Sequence, residues 1–203
     1  MIFSEPRPPE DSLFWTGVWH YARGMAYTAT GKLNEANQEL DSLRSIATQK
    51  ALDGYRVTFS RNGAKAILEI ANEVLAGELA AKRGYHDLAI ARLHRAILLE
   101  DNLIYNEPSD WHVPVRQALG AVLLDAGRPA EAESIYWQDL SRNRENGWSL
   151  FGLMQSLRAQ GKTEPAARIE VRFRKTWNRA DVTLTASRIM GEGDIALAAT
   201  SGN

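Results

Sequence analysis

Eight helix-like stretches follow one another along the chain in four pairs, each pair mixing small and large apolar positions with charged faces, and a glycine separates the two members of each pair. Each of these glycines is followed five residues later by an alanine: Gly31 with Ala36, Gly84 with Ala89, Gly127 with Ala132 and Gly161 with Ala166. The glycine falls where one helix stops and the chain reverses, where a positive φ is needed and a Cβ is costly. The alanine falls in the second helix, facing the first so closely that a larger side chain would push the two apart. The pairs predicted are 14–30 with 34–50, 66–83 with 87–99, 112–126 with 129–142, and 148–160 with 163–178. Pro129 suits a first-turn position because its φ is already helical. A short helix from Asp181 to Ile189, with Asp181 as its N-cap, is expected to close the array.

Tiny residues recur seven positions before three of the turns, at Gly24, Gly77 and Gly120, with Met154 in the fourth place. The third unit carries the fullest set, with Leu119, Gly120 and Leu123 before its turn and Ala132 and Tyr136 after it. Thirty-four residues separate Gly127 from Gly161, the period of a helix-turn-helix repeat. In these positions the chain resembles the tetratricopeptide repeat family over roughly residues 14 to 178. The resemblance implies an all-α, right-handed superhelical solenoid of about four units (14–50, 66–99, 112–142 and 148–178) with a C-terminal capping helix. The runs WHYARGMAYTATGKLNEA and NEPSDWHVPVRQALGAVLLDAGRPAEAESIYWQDL resemble the C-terminal region of large bacterial proteins of this family whose function is unassigned. On that resemblance the chain reads as a C-terminal piece or a shortened member.

The other turn spacings are longer, 43 residues from Gly84 to Gly127 and 53 from Gly31 to Gly84. The surplus falls in two insertions, Asp53 to Ala64 and Asp101 to His112, which are expected along one edge and in contact. They bring Tyr55 and Arg56, then Tyr105, Glu107, Asp110, Trp111 and His112, with Arg116 one turn further on. Aromatic walls with carboxylates and guanidinium groups at one mouth are the ingredients of an oriented ligand site, although helix capping and loop packing are the first account of them. The family resemblance implies a second surface, the groove lined by first helices. Its counterparts here are Tyr21, Met25, Glu78 and Lys82, then Gln117, Trp148, Phe151, Gln155 and Arg158. That set has too few basic residues for a clamp on a peptide carboxylate.

Charge adds little, since 24 basic residues nearly balance 25 acidic ones. The late cluster Arg168, Arg172, Arg174, Lys175 and Arg179 reads as a solvated helix face, so no nucleic-acid partner is expected. The absence of cysteine removes disulfides, thiolate nucleophiles and cysteine-based zinc sites. His86 and His94, eight positions apart on one helix, stand roughly 12 Å apart in rise, too far for one metal. No serine-nucleophile or phosphate-loop motif occurs. No catalytic group, metal or cofactor is therefore expected. Nothing approaches a membrane span or signal peptide, which points to the cytoplasm.

Six tryptophans are many for this length and read mainly as core, with Trp111 and Trp148 expected to be exposed at helix starts. Residues 1–13 read as an extended lead-in and 191–203 as a flexible tail. Phe14, Trp15 and Trp19 would be open if no repeat precedes them, so self-association through the first helix or cover by the lead-in is expected. Together these features favour a non-catalytic scaffold that binds a protein or peptide or serves as the C-terminal part of a larger assembly. The alternative is a small-molecule or substrate-binding module built on the inserted loops.

Overall fold

The computed structural model describes residues 2–9, 11–57, 60–188 and 195–197. Among them are eight α-helices and a two-stranded ribbon, so the chain is all-α in class. The helices are α1 (Leu13–Ala29), α2 (Leu33–Ala47), α3 (Ala64–Lys82), α4 (His86–Asp101), α5 (Val115–Asp125), α6 (Pro129–Arg142), α7 (Gly147–Ala159) and α8 (Thr163–Trp177). They fall into two compact units, Met1–Val115 and Arg116–Asn203.

One local device makes all four hairpins. Gly31, Gly84, Gly127 and Gly161 have φ of 75°, 80°, 70° and 71°. The amide after each glycine donates back to the carbonyl five residues earlier: Lys32 to Tyr27 at 2.9 Å, Tyr85 to Ala80 at 2.9 Å, Arg128 to Leu123 at 2.8 Å and Lys162 to Leu157 at 3.0 Å. This is the Schellman closure of a helix C-terminus. The same residue is also the N-cap of the next helix, and its carbonyl accepts from the alanine four places on, as in Ala36 to Lys32 at 3.0 Å. The glycine-to-alanine spacing is thus the distance from the left-handed turn to the first inward position of the returning helix. Ala36, Ala89 and Ala132 are 0% exposed and Ala166 is 2% exposed.

In the first unit α1 packs on α2, α3 on α4, and α3 also lies against α1 and α2. Its core is Leu40, Leu43, Leu68, Ile70, Leu75 and Leu93, all buried. Gly17 and Gly24 of α1 leave the notches that hold Leu68 and Leu75 of α3, and Gly77 leaves one for Leu93. In the second unit α7 packs on both α6 and α8. There Tyr136 of α6 lies between the notches of Gly120 and Gly152, and its hydroxyl meets Ser187 Oγ at 2.5 Å. Burial of this phenol pushes its pKa up.

Four expectations are corrected. The expected closing helix from Asp181 to Ile189 is absent: Val182–Leu184 is a strand, β1, paired antiparallel with β2 (Ile195–Leu197). Two of its first three residues, Val182 and Thr183, are β-branched and suit an extended backbone, and Trp177 Nε1 donates to Val182 O at 2.8 Å, turning the chain just after α8. Ile189 lies outside the described residues, as does the expected flexible tail apart from β2. The third pair opens at Val115 rather than at position 112, because Pro114 disfavours helix at the residue before it. The helix expected to reach Lys50 ends at Ala47, followed by a 3-10 turn at Lys50–Leu52. Finally, the lead-in is not merely extended, for Ile2–Ser4 form a 3-10 turn against α1, with Phe3 at 4.5 Å from Tyr27.

Candidate functional site

The two insertions meet, and one asparagine joins them. The first is pinched into a loop by Ala64 N donating to Tyr55 O at 2.9 Å and by a bridge between Arg56 and Gly63. At its base Asn62 is 6% exposed. Its Nδ2 donates to Ile104 O at 2.8 Å, and Ile104 N donates to its Oδ1 at 2.8 Å, so the side chain pairs with the second insertion as a neighbouring strand would. The same Nδ2 donates to Asp110 Oδ2 at 2.6 Å, as does Ser60 Oγ at 2.7 Å, while Asn106 Nδ2 reaches Asp110 Oδ1 at 2.9 Å. Desolvation works against ionisation of Asp110, but the hydrogen bonds from Asn62, Ser60 and Asn106 outweigh it and hold its carboxyl below the ordinary value.

This clasp sets the next residue, Trp111, against the helices. Its indole is 5% exposed and stands 5.5 Å from the Tyr21 ring at 60°. Trp111, expected at the surface, is therefore buried, because Asp110 beside it is anchored from the other insertion. Beside it opens a cleft of about 220 Å³. Phe14, Trp15, Val18 and Tyr21 of α1 form one wall, Ile67, Leu68 and Ala71 of α3 another, and Val57 of the first insertion with Asp110, Trp111 and His112 of the second complete it. Trp15 remains 53% exposed. Burial pushes the Tyr21 phenol up, and the nearby Glu78 carboxylate adds to the effect. Burial also pushes the His112 imidazole down, so it is neutral near pH 7.

A second aromatic cluster on α1 already holds a cation. The Arg23 guanidinium carbon lies 4.4 Å from the Trp19 ring centre, 5.4 Å from Tyr27 and 5.8 Å from Phe3. Arg23 Nε donates to Glu39 Oε1 at 2.7 Å, and His20 Nδ1 lies 2.5 Å from Glu39 Oε2. The lead-in completes this cluster, with Trp19 Nε1 donating to Glu5 O at 3.3 Å.

The structure distributes the expected site residues unevenly. Asp110, Trp111 and His112 converge at the cleft, joined there by Tyr21 from the groove set. Tyr55 is exposed, Arg56 Nη1 donates to Arg61 O, and Tyr105 donates to Glu107, both of them on the surface. Arg116 is buried in the second unit. Of the remaining groove residues in the first unit, Met25 is half-buried, Glu78 is 2% exposed and Lys82 is exposed. In the second unit Gln117 is buried and Gln155 half-buried, Trp148 packs on Trp177 at 5.7 Å and Phe151 on Phe173 at 5.5 Å. Arg158 pairs with Glu170 at 2.6 Å. Ser60 and Asn62 escaped the sequence reading; the Asn-Gly step at 62–63 signals only a turn.

Among the described residues no group of three or more histidines, aspartates and glutamates could hold a metal ion. None of the described helices is long and apolar enough to cross a membrane. Comparisons with family models, with curated proteins and with solved structures find no match. The first unit thus combines helical hairpins closed by glycine turns with an aromatic cleft between α1 and α3 that the two clasped insertions complete.

Proposed function

We propose that the chain is a non-catalytic, tetratricopeptide-like binding module that docks a partner protein at the cleft of its first unit. The observation that carries this reading is the cleft itself. Its volume of about 220 Å³ is below the roughly 300–1,000 Å³ of pockets that enclose a drug-sized ligand, and suits one inserted side chain. A half-exposed indole at the rim, Trp15, is the kind of residue that supplies binding energy when a partner covers it. The insertions spend their polar groups on holding the wall in place, which favours the protein-binding reading over a substrate site within the loops.

The test places a photo-crosslinking amino acid at position 15 of the full chain in its source cell, with position 168, on the second unit, as a control. One protein captured from position 15 and not from position 168, and lost when Val18→Trp fills the cleft, is the expected result. Capture of the same set from both positions, or capture unchanged by Val18→Trp, would overturn the reading.

A further inference from the structure

The walls of the cleft carry a chemical preference that the docking reading leaves unspecified. Four aromatic side chains line it, Phe14, Trp15, Tyr21 and Trp111, and the electron-rich face of such rings attracts cations. Among the described residues no lysine or arginine lines it, so no resident cation neutralises that attraction. Asp110 is the carboxylate at its edge. Among the described residues it accepts three hydrogen bonds, from Ser60, Asn62 and Asn106, of the about four that a carboxylate can accept. Burial holds His112 toward its neutral form, so it adds no opposing charge beside the Asp110 carboxylate.

From this we propose that the cleft takes the guanidinium of an arginine side chain presented by the partner protein. The proposal rests on the docking reading and adds the chemistry of the docked group. A guanidinium is planar, stacks on aromatic faces and is less strongly hydrated than an ammonium, so it enters a largely apolar cleft at lower cost than lysine. The protein contains a filled version of the same arrangement. Arg23 lies over Trp19 and Tyr27 with Phe3 beside it, and its charge is met by Glu39 at 2.7 Å. Three aromatic rings and a carboxylate around one guanidinium is that cluster; four aromatic rings and a carboxylate around a cleft with no resident cation is this one.

The experiment uses the full chain with 5-fluorotryptophan at its six tryptophan positions. The resonances of Trp15 and Trp111 are assigned from Trp→Phe variants, and the sample is titrated with N-acetylarginine N-methylamide. Saturable shifts confined to Trp15 and Trp111 are expected, with the citrulline and norleucine analogues at least about tenfold weaker, a difference of about 1.4 kcal/mol. Asp110→Asn removes the charge and replaces one of the two accepting oxygens by a donor, and is expected to weaken arginine binding about fivefold or more with the Trp148 and Trp177 resonances unmoved. Val18→Trp, which changes no residue of the clasp, is expected to abolish the shifts. Equal binding of citrulline or norleucine overturns the proposal in favour of an apolar group, and tighter binding of tetramethylammonium overturns it in favour of a quaternary ammonium. The two readings fail separately. Crosslinking at position 15 without guanidinium-dependent shifts removes the arginine proposal alone. Shifts without any crosslinked protein support the cleft chemistry and remove the docking reading.

Discussion

Alanine in place of Gly152 asks how tightly α6 and α7 are keyed together. An added Cβ would stand 2.2 Å from Tyr136 Cζ, 2.4 Å from Cε1 and 2.5 Å from the hydroxyl, against about 3.5–4.0 Å for comfortable carbon contacts. The ring has little room to retreat. Tyr136 is 0% exposed, a Cβ at Gly120 would stand 2.4 Å from the same Cζ, and the hydroxyl is held by Ser187. Three quantities decide the outcome. Relief of glycine's helix penalty stabilises by about 1 kcal/mol. Overpacking costs about 1–3 kcal/mol, and displacing the Tyr136–Ser187 hydrogen bond costs about 1 kcal/mol more. The net is a loss of about 1–3 kcal/mol, read as a lower urea midpoint followed by tryptophan fluorescence. In a Tyr136→Leu background the same alanine should cost at least about 1 kcal/mol less, because the atoms it strikes are gone. Unchanged or increased stability of Gly152→Ala, as helix propensity alone dictates, would refute the keyed packing, and so would a full cost in the Tyr136→Leu background.

Gly127→Ala isolates backbone strain, since nothing lies within 4 Å of an added Cβ while φ is +70°. It should cost about 1–2 kcal/mol in urea unfolding, with Gly127→Asn recovering part of the loss. Asn62→Ala should cost roughly 1–3 kcal/mol and speed amide hydrogen exchange at Ile104, whose N–H and C=O both lose their partner. The clasp should also open in acid. Because the folded pKa of Asp110 is depressed, its stabilisation is present above the unfolded carboxyl value of about 3.9 and is lost as pH falls through the lower folded value. Trp111 fluorescence followed downward from pH 5 should show this transition, and Asp110→Asn should remove it.

The hairpins were legible in the sequence because each is closed locally. The amide of Lys162 reaches the carbonyl of Leu157 across one glycine, and no distant residue has to cooperate. For the same reason the pairing of helices and the burial of Ala36, Ala89, Ala132 and Ala166 follow from spacing alone. Where local propensity and remote contacts diverged, the reading failed. Asp181 made a plausible N-cap, yet Val182–Leu184 pairs as a strand with Ile195–Leu197. Trp111 next to a helix start suggested an exposed indole, yet it is buried against Tyr21.

The candidate site divides along the same line. Asp110, Trp111 and His112 could be singled out as aromatic and charged residues in an insertion, and contact between the two insertions followed from the excess length in consecutive units. Their purpose could not be read, because the clasp joins Ser60 and Asn62 to Asp110 and Ile104 across 42 to 50 residues of sequence. No periodicity records which amide will meet which carboxylate at that separation. Family positions transferred to Tyr21 and Glu78 suggested groove residues, but a groove position describes the helix that carries it and not the loop that folds over it. Where the chain turns is written locally, since a left-handed glycine and its Schellman bond need only their immediate neighbours. Where the cleft opens and what lines it is set by the fold, since desolvation of an indole and satisfaction of a buried amide depend on residues that only folding brings together.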